Sequence, residues 1–136
     1  MPSPKPDFIL VDDSRLDCLI SQKVIKNTSK HATVQSFNEA SLALEFITNR
    51  IQEPDHDLTI IFLDIQMPVM NGFDFAASFE KLSETIQALY AIFMLSSSTN
   101  ESDRIRIGNY SCIKHFYIKP LTREIVQEVI NTSCKD

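Results

Sequence analysis

Leu58 to Leu63, the most apolar stretch of the chain, constrains its fold more than any other feature. A strand with one wet face alternates apolar and polar residues. A short run that is apolar almost throughout is suited to burial on both faces, between layers of helices. Phe8-Ile9-Leu10-Val11 and Ala88 to Leu95 have the same character. Two weaker strands complete the set: His31 to Phe37, where Val34 and Phe37 stand among polar residues as at a sheet edge, and Lys114 to Ile118.

Helical segments fill the intervals. Leu16, Leu19, Ile20 and Val24 fall at helical spacing and predict a helix from Ser14 to about Thr28. Asn38 is placed to cap a helix carrying Ala40, Ala43, Leu44 and Ile47. Asn71-Gly72 reads as a turn, after which Phe75, Ser78, Phe79 and Leu82 mark a helical face. Thr99 to Ile107 predicts a polar helix anchored only by Ile105 and Ile107. Thr122 caps a last helix with Ile125, Val126, Val129 and Ile130, and Leu121 is placed to staple it. Five strands alternating with five helices predict an α/β fold, a doubly wound parallel sheet with right-handed crossovers. Prolines at positions 2, 4 and 6 make residues 1–6 an extended, flexible tail, which leaves residues 7–134 as the domain. A chain of 136 residues has room for one core only.

Charge and cysteine content narrow the function. With 13 Lys+Arg against 18 Asp+Glu, the net charge of −5 lacks the basic excess that drives binding to nucleic acid or anionic membrane. Cys18, Cys112 and Cys134 are odd in number, far apart and without a Cys-x-x-Cys pair, so neither a zinc site nor a disulfide framework is indicated. No signal-like segment opens the chain, and nothing approaches the roughly 18 apolar residues that span a bilayer. The expectation is a cytoplasmic protein with reduced thiols.

In an open parallel sheet, sites form beyond the carboxyl ends of the strands, where the winding reverses. Here the first strand runs into Asp12-Asp13, the third into Asp64, the fourth into Ser96-Ser97-Ser98 and the fifth into Lys119-Pro120. Parallel strands would bring all of these to one rim. Three converging carboxylates resist joint ionisation, and an all-oxygen set suits magnesium better than zinc. Lys119 adds a point charge and Ser96 a hydroxyl donor. A carboxylate nucleophile, a metal, an ammonium and a hydroxyl are what phosphoryl transfer to an aspartate requires.

These residues, in this order, resemble the receiver domain of two-component response regulators. The resemblance runs from about residue 7 to residue 134 and also includes Met67-Pro68 and Gly72 beyond Asp64. It implies a flavodoxin-like (βα)5 sheet of strand order 2-1-3-4-5. It further implies that Asp64 takes a phosphoryl group from a sensor histidine kinase or a histidine phosphotransfer protein, becoming a 4-aspartylphosphate. Asp13, Asp64 and the Gln66 carbonyl would hold Mg2+, with Asp12 in support, and Lys119 would pair with the phosphoryl group. Ser96 and Phe116 would act as the switch. Their movement would reshape a docking face for a downstream protein, made by the fourth helix, fifth strand and fifth helix. A cis Lys119-Pro120 bond is implied as well. Gln66 and Ser98 flank the site at positions that vary among relatives. Phe116 departs from the commoner tyrosine, and Cys112 stands where many relatives have glycine.

Each residue has an ordinary reading too. Asp12-Asp13 could be a helix cap, Lys119 a surface lysine, Phe116 core, and His31, His56 and His115 surface or packing residues. The leading function is a stand-alone regulatory phosphoacceptor rather than an enzyme. An aspartate-nucleophile phosphohydrolase is the first alternative, but its usual second acid two residues on is here Gln66. A phosphorylation-independent interaction module is the second, but such modules typically lose the acids or the lysine. With two glycines in the chain, a dinucleotide or flavin site has no phosphate-cradling loop.

Overall fold

The computed structural model describes residues 7–49, 58–97 and 101–133. Ser98, His56, Cys134 and the expected tail at 1–6 lie outside the described residues. The elements are β1 (Asp7–Val11), α1 (Arg15–Thr28), β2 (Thr33–Phe37), α2 (Ala40–Asn49), β3 (Thr59–Asp64), α3 (Gly72–Phe79), α4 (Glu84–Gln87), β4 (Tyr90–Ser96), α5 (Glu101–Ile107), β5 (Ile113–Ile118) and α6 (Arg123–Ser133). The strands form one sheet, β2-β1-β3-β4-β5, with every pair parallel. This is the flavodoxin-like order, and it places the two most apolar strands, β3 and β4, inside.

Side-chain alternation along the strands sends successive residues to opposite faces. Ile9, Val11, Ile61, Leu63, Ile92 and Met94 pack in one cluster with α2 and α3, through Ala43, Ile47, Phe73, Phe75 and Phe79. Phe8, Leu10, Ile60, Phe62, Phe93 and Leu95 point the other way, to Cys18 and Ile25 of α1 and Val126 and Val129 of α6. All six residues of β3 and all seven of β4 are buried. Double-sided burial is why their sequences show no alternation.

Several expectations are corrected. Among the described residues there are six helices, not five. The extra one, α4, is a single turn capped by Ser83 and tied to the end of α3 by Gln87 Nε2, which donates to the Glu80 and Leu82 carbonyls. It is too short for periodicity to reveal it. Asn71-Gly72 is no free turn: Asn71 caps α3 in a full capping box with Asp74. Asn38 caps nothing; its amide donates to the Asp12 carbonyl at 2.9 Å. The first helix forms as expected, but Leu16, Leu19 and Ile20 lie outside, 66%, 57% and 44% exposed, and Cys18 and Ile25 are the buried residues. Among the described residues no helix is long and apolar enough to cross a membrane.

Candidate functional site

The carboxyl end of the sheet collects the strand-end residues. Asp12 follows β1 and is 7% exposed; its position is fixed from three sides. Its backbone N–H donates to the Phe37 carbonyl, its carbonyl accepts from Asn38, and its Oδ1 accepts from the Ser14 N–H. Asp13 is exposed beside it. Asp64 ends β3 at 8% exposure, and its Oδ1 accepts the Gln66 N–H at 3.3 Å. One carboxylate oxygen from each of Asp12, Asp13 and Asp64 lies within 4.8 Å of the others, an all-oxygen set of the kind hard divalent cations take.

Lys119 is the cation among these acids. Its backbone N–H donates to the Ser96 carbonyl at 2.7 Å, which joins the ends of β4 and β5. Its Nζ stands 2.6 Å from Asp12 Oδ2, 3.0 Å from Asp17 Oδ2 and 3.5 Å from Asp64 Oδ2. Burial works against the ammonium, but the hydrogen bonds to Asp12 and Asp17 and the charges of Asp64 and Asp12 outweigh it. The net effect holds the lysine above its ordinary pKa. Asp64 shows the converse. Burial, with the Asp12 charge adding to it, pushes its carboxyl from 3.8 up to about 6, against the pull of Lys119. A lysine shared among three acids neutralises them only in part.

The β3–α3 loop brings Gln66 and Met67 to the rim. Gly72 makes this possible: a Cβ there would sit 2.7 Å from the Asp64 carbonyl oxygen and 3.0 Å from the Ile65 Cα. Its N–H donates to the Ile65 carbonyl at 2.9 Å, so α3 starts against the end of β3. Within the same loop Val69 has φ 68°, a left-handed conformation in which branched residues are strained, and it is fully exposed. A groove of about 550 Å³ lies beside the acids, lined by Gln66, Met67, Phe73, Asp103 and Arg106. The Arg106 guanidinium sits over the Phe73 ring, 4.3 Å from its centroid.

Ser96 is buried at the end of β4, and Phe116 is half-buried on β5, packed against the cluster that carries Ile9 and Met94. The Lys119-Pro120 bond is cis. Cys112 is buried, and its N–H donates to Glu80 at 3.1 Å, so the end of α3 clamps the loop before β5. Burial, with the Glu80 charge adding to it, pushes that thiol up to about 12, and burial pushes Cys18 up to about 11; neither is a thiolate at neutral pH. His115 packs edge-on against Tyr117, with ring centroids 4.7 Å apart, and His31 is exposed. Asp17 is the site member that sequence reasoning missed. An acid in the first turn of a helix reads as an ordinary partner of the helix dipole.

The response regulator receiver domain model matches residues 8–131. Over 131 residues the chain is 27% identical to the two-component response regulator ORR3 of Oryza sativa subsp. indica, covering 96% of this chain and 92% of that protein. It is 28% identical over 134 residues to part of the sensor histidine kinase CheAY of Helicobacter pylori, covering 98% of this chain and 16% of that protein. A crystal structure of a response regulator receiver protein from Dyadobacter fermentans superposes with a TM-score of 0.86 at 30% identity, covering 96% of this chain and 99% of that one. A two-component response regulator from Cytophaga hutchinsonii, 21% identical, shares the fold at a TM-score of 0.83 over 98% of this chain and all of that one. The family match spans nearly the whole chain and the strand order is that of its structural relatives, and the chain belongs to the response regulator receiver domain family of two-component systems.

Proposed function

We propose that Asp64 is the phosphoacceptor of this receiver domain and that its phosphorylation switches a docking face. One observation carries the reading. Asp64 is a nearly buried carboxylate at a strand end, facing one ammonium and two further acids that ordinary stability does not require. As the phosphorus–nitrogen bond of a donor phosphohistidine breaks, an Asp64 oxygen bonds to phosphorus, and the bonding pair returns to the imidazole. Lys119 offers charge to the transferred group, and Ser96, at the adjacent strand end, offers a hydroxyl to the same group. Asp13, Asp64 and the Gln66 carbonyl, with Asp12 in support, would hold Mg2+, which would supply the remaining counter-charge when bound. The donor is a histidine kinase or histidine phosphotransfer protein.

Movement at Ser96 and Phe116 would be read on α5, β5 and α6, the elements expected from the sequence as its fourth helix, fifth strand and fifth helix. Ile105 and Ile118 on that face are 69% and 47% exposed, which suits an apolar partner surface. Incubation with magnesium and acetyl phosphate, followed by intact mass measurement, is expected to show one phosphoryl adduct on Asp64. The adduct should be labile to hydroxylamine and absent in Asp64→Asn. Failure to take up either acetyl phosphate or beryllofluoride would overturn the assignment. Release of phosphate from many unrelated esters would favour a hydrolase instead.

A further inference from the structure

The three acids around Lys119 do not have equal standing. Asp12 and Asp64 belong to the acid cluster, whereas Asp17 reaches the same ammonium from the first turn of α1. Local hydrogen bonding explains why its carboxylate is available. Asp17 stands three residues after the capping Ser14, where an acid in a capping box would bond back to the cap's N–H. That N–H already donates to Asp12 Oδ1 at 2.9 Å, while the Ser14 hydroxyl accepts from the Asp17 N–H at 3.2 Å. The Asp17 carboxylate turns instead to Lys119, at 3.0 Å.

An ammonium has three donors. Two are engaged at short range, by Asp12 at 2.6 Å and Asp17 at 3.0 Å, while Asp64 stands farther off, at 3.5 Å. The backbone of Lys119 is pinned to Ser96, so the position of Nζ is set by whichever carboxylates hold it. Asp12 is equally pinned, by Ser14. The Asp17 side chain is 41% exposed against 10% for Asp12 and Asp64, so its half of the pair is solvated and inexpensive to release.

Resting on the reading of Asp64 as phosphoacceptor, we propose that Asp17 is a positioning residue that holds Lys119 on the α1 side of the pocket and competes for it with a phosphoryl group on Asp64. Asp17 acts in two ways, both of the same sign. It engages the ammonium the phosphoryl group needs, and it adds a negative charge beside an incoming anion. It thereby sets how readily the site takes and keeps a phosphoryl group, without touching that group itself.

Beryllofluoride binding, measured by calorimetry at saturating magnesium, tests this in the wild type, Asp17→Asn and Asp17→Glu. Saturation with magnesium keeps a change in metal affinity out of the result. Asp17→Asn is expected to bind about two- to fivefold more tightly, the scale of a partly exposed ion pair, and Asp17→Glu to return close to the wild-type value. A first-turn acid with a merely structural role would shift the melting temperature and leave the two affinities alike. Unchanged or weaker binding by Asp17→Asn, with the wild type still binding, overturns the role of Asp17 and leaves Asp64 as acceptor. No binding by the wild type overturns the acceptor reading and this inference with it.

Discussion

Asp64 is held where its charge is disfavoured, and that has a measurable consequence at the scale of one residue. Its carboxyl is pushed up to about 6 from 3.8, chiefly by burial and then by Asp12. A carboxyl that binds its proton more tightly folded than unfolded makes stability fall as pH rises through that window. Its favourable contribution is complete below about 3.8 and lost above about 6. Without divalent cations, Asp64→Asn should therefore flatten the stability curve across this range. At pH 7.5 it should stabilise the fold by on the order of 1–2 kcal/mol, raising Tm in a calorimetric scan with chelator present. Added magnesium should then raise Tm of the wild type more than that of Asp64→Asn, because the variant lacks one of the proposed ligands. An equal or lower Tm for the variant in chelator would show that Lys119 already compensates the charge. The convergence of Asp64, Asp13 and Lys119 is legible in the sequence because each stands where a strand of a parallel sheet ends: Asp64 directly after Ile-Ile-Phe-Leu, Asp13 in the acid pair after the first strand, and Lys119 before a proline at the end of the fifth. Asp17 and Asn38 are not legible in this way. Each sits where a local capping role explains it equally well, and only the packed structure shows a carboxylate and an amide turned toward the β1 end.

Elements rather than residues decide how firmly that rim is held. Gly72 is required for clearance and not for backbone conformation, since a Cβ would meet the carbonyl oxygen of Asp64 at 2.7 Å. Gly72→Ala should push α3 from the end of β3, at a cost of about 1–3 kcal/mol in urea unfolding, and should weaken magnesium binding through displaced Asp64. Asn71→Ala offers a contrast on the same helix. It removes the capping box and costs about 1 kcal/mol, but leaves the β3 end in place, so magnesium affinity should not change. Equal effects of the two substitutions on the metal would contradict this separation. The helices were also where sequence reasoning was least complete. Strands buried on both faces announce themselves by composition, and β1, β3 and β4 were all found. A helix must be read by which side it buries, and α1 carries two apolar stripes. The one with more leucine faces out, while the less apolar one, with Cys18 and Ile25, packs against β1, β3 and α6.

At the scale of the molecule, α1 and the acid cluster meet. Asp64 is 8% exposed, so on the proposed reading a donor imidazole carried on another protein would have to cover the rim closely to reach it. Leu16, Leu19 and Ile20 extend from that rim along α1 as neighbours on one helical surface, more apolar area together than scattered surface residues present. Burying such a patch against a donor would supply affinity at the place where the transfer geometry needs it. Acetyl phosphate, by contrast, needs no such surface. On the proposed reading, the double variant Leu16→Ser, Leu19→Ser should therefore label with acetyl phosphate at the wild-type rate. Its transfer from a phosphorylated histidine phosphotransfer protein that labels the wild type should be slowed about tenfold or more, as expected when interface anchors are lost. Both positions are exposed, so the fold should be nearly unaffected, and a Tm measurement on the same preparation checks that. The ratio of the two labelling rates is the decisive quantity. If transfer from the protein donor and labelling by acetyl phosphate change together, α1 is no docking surface and its leucines are ordinary exposed residues.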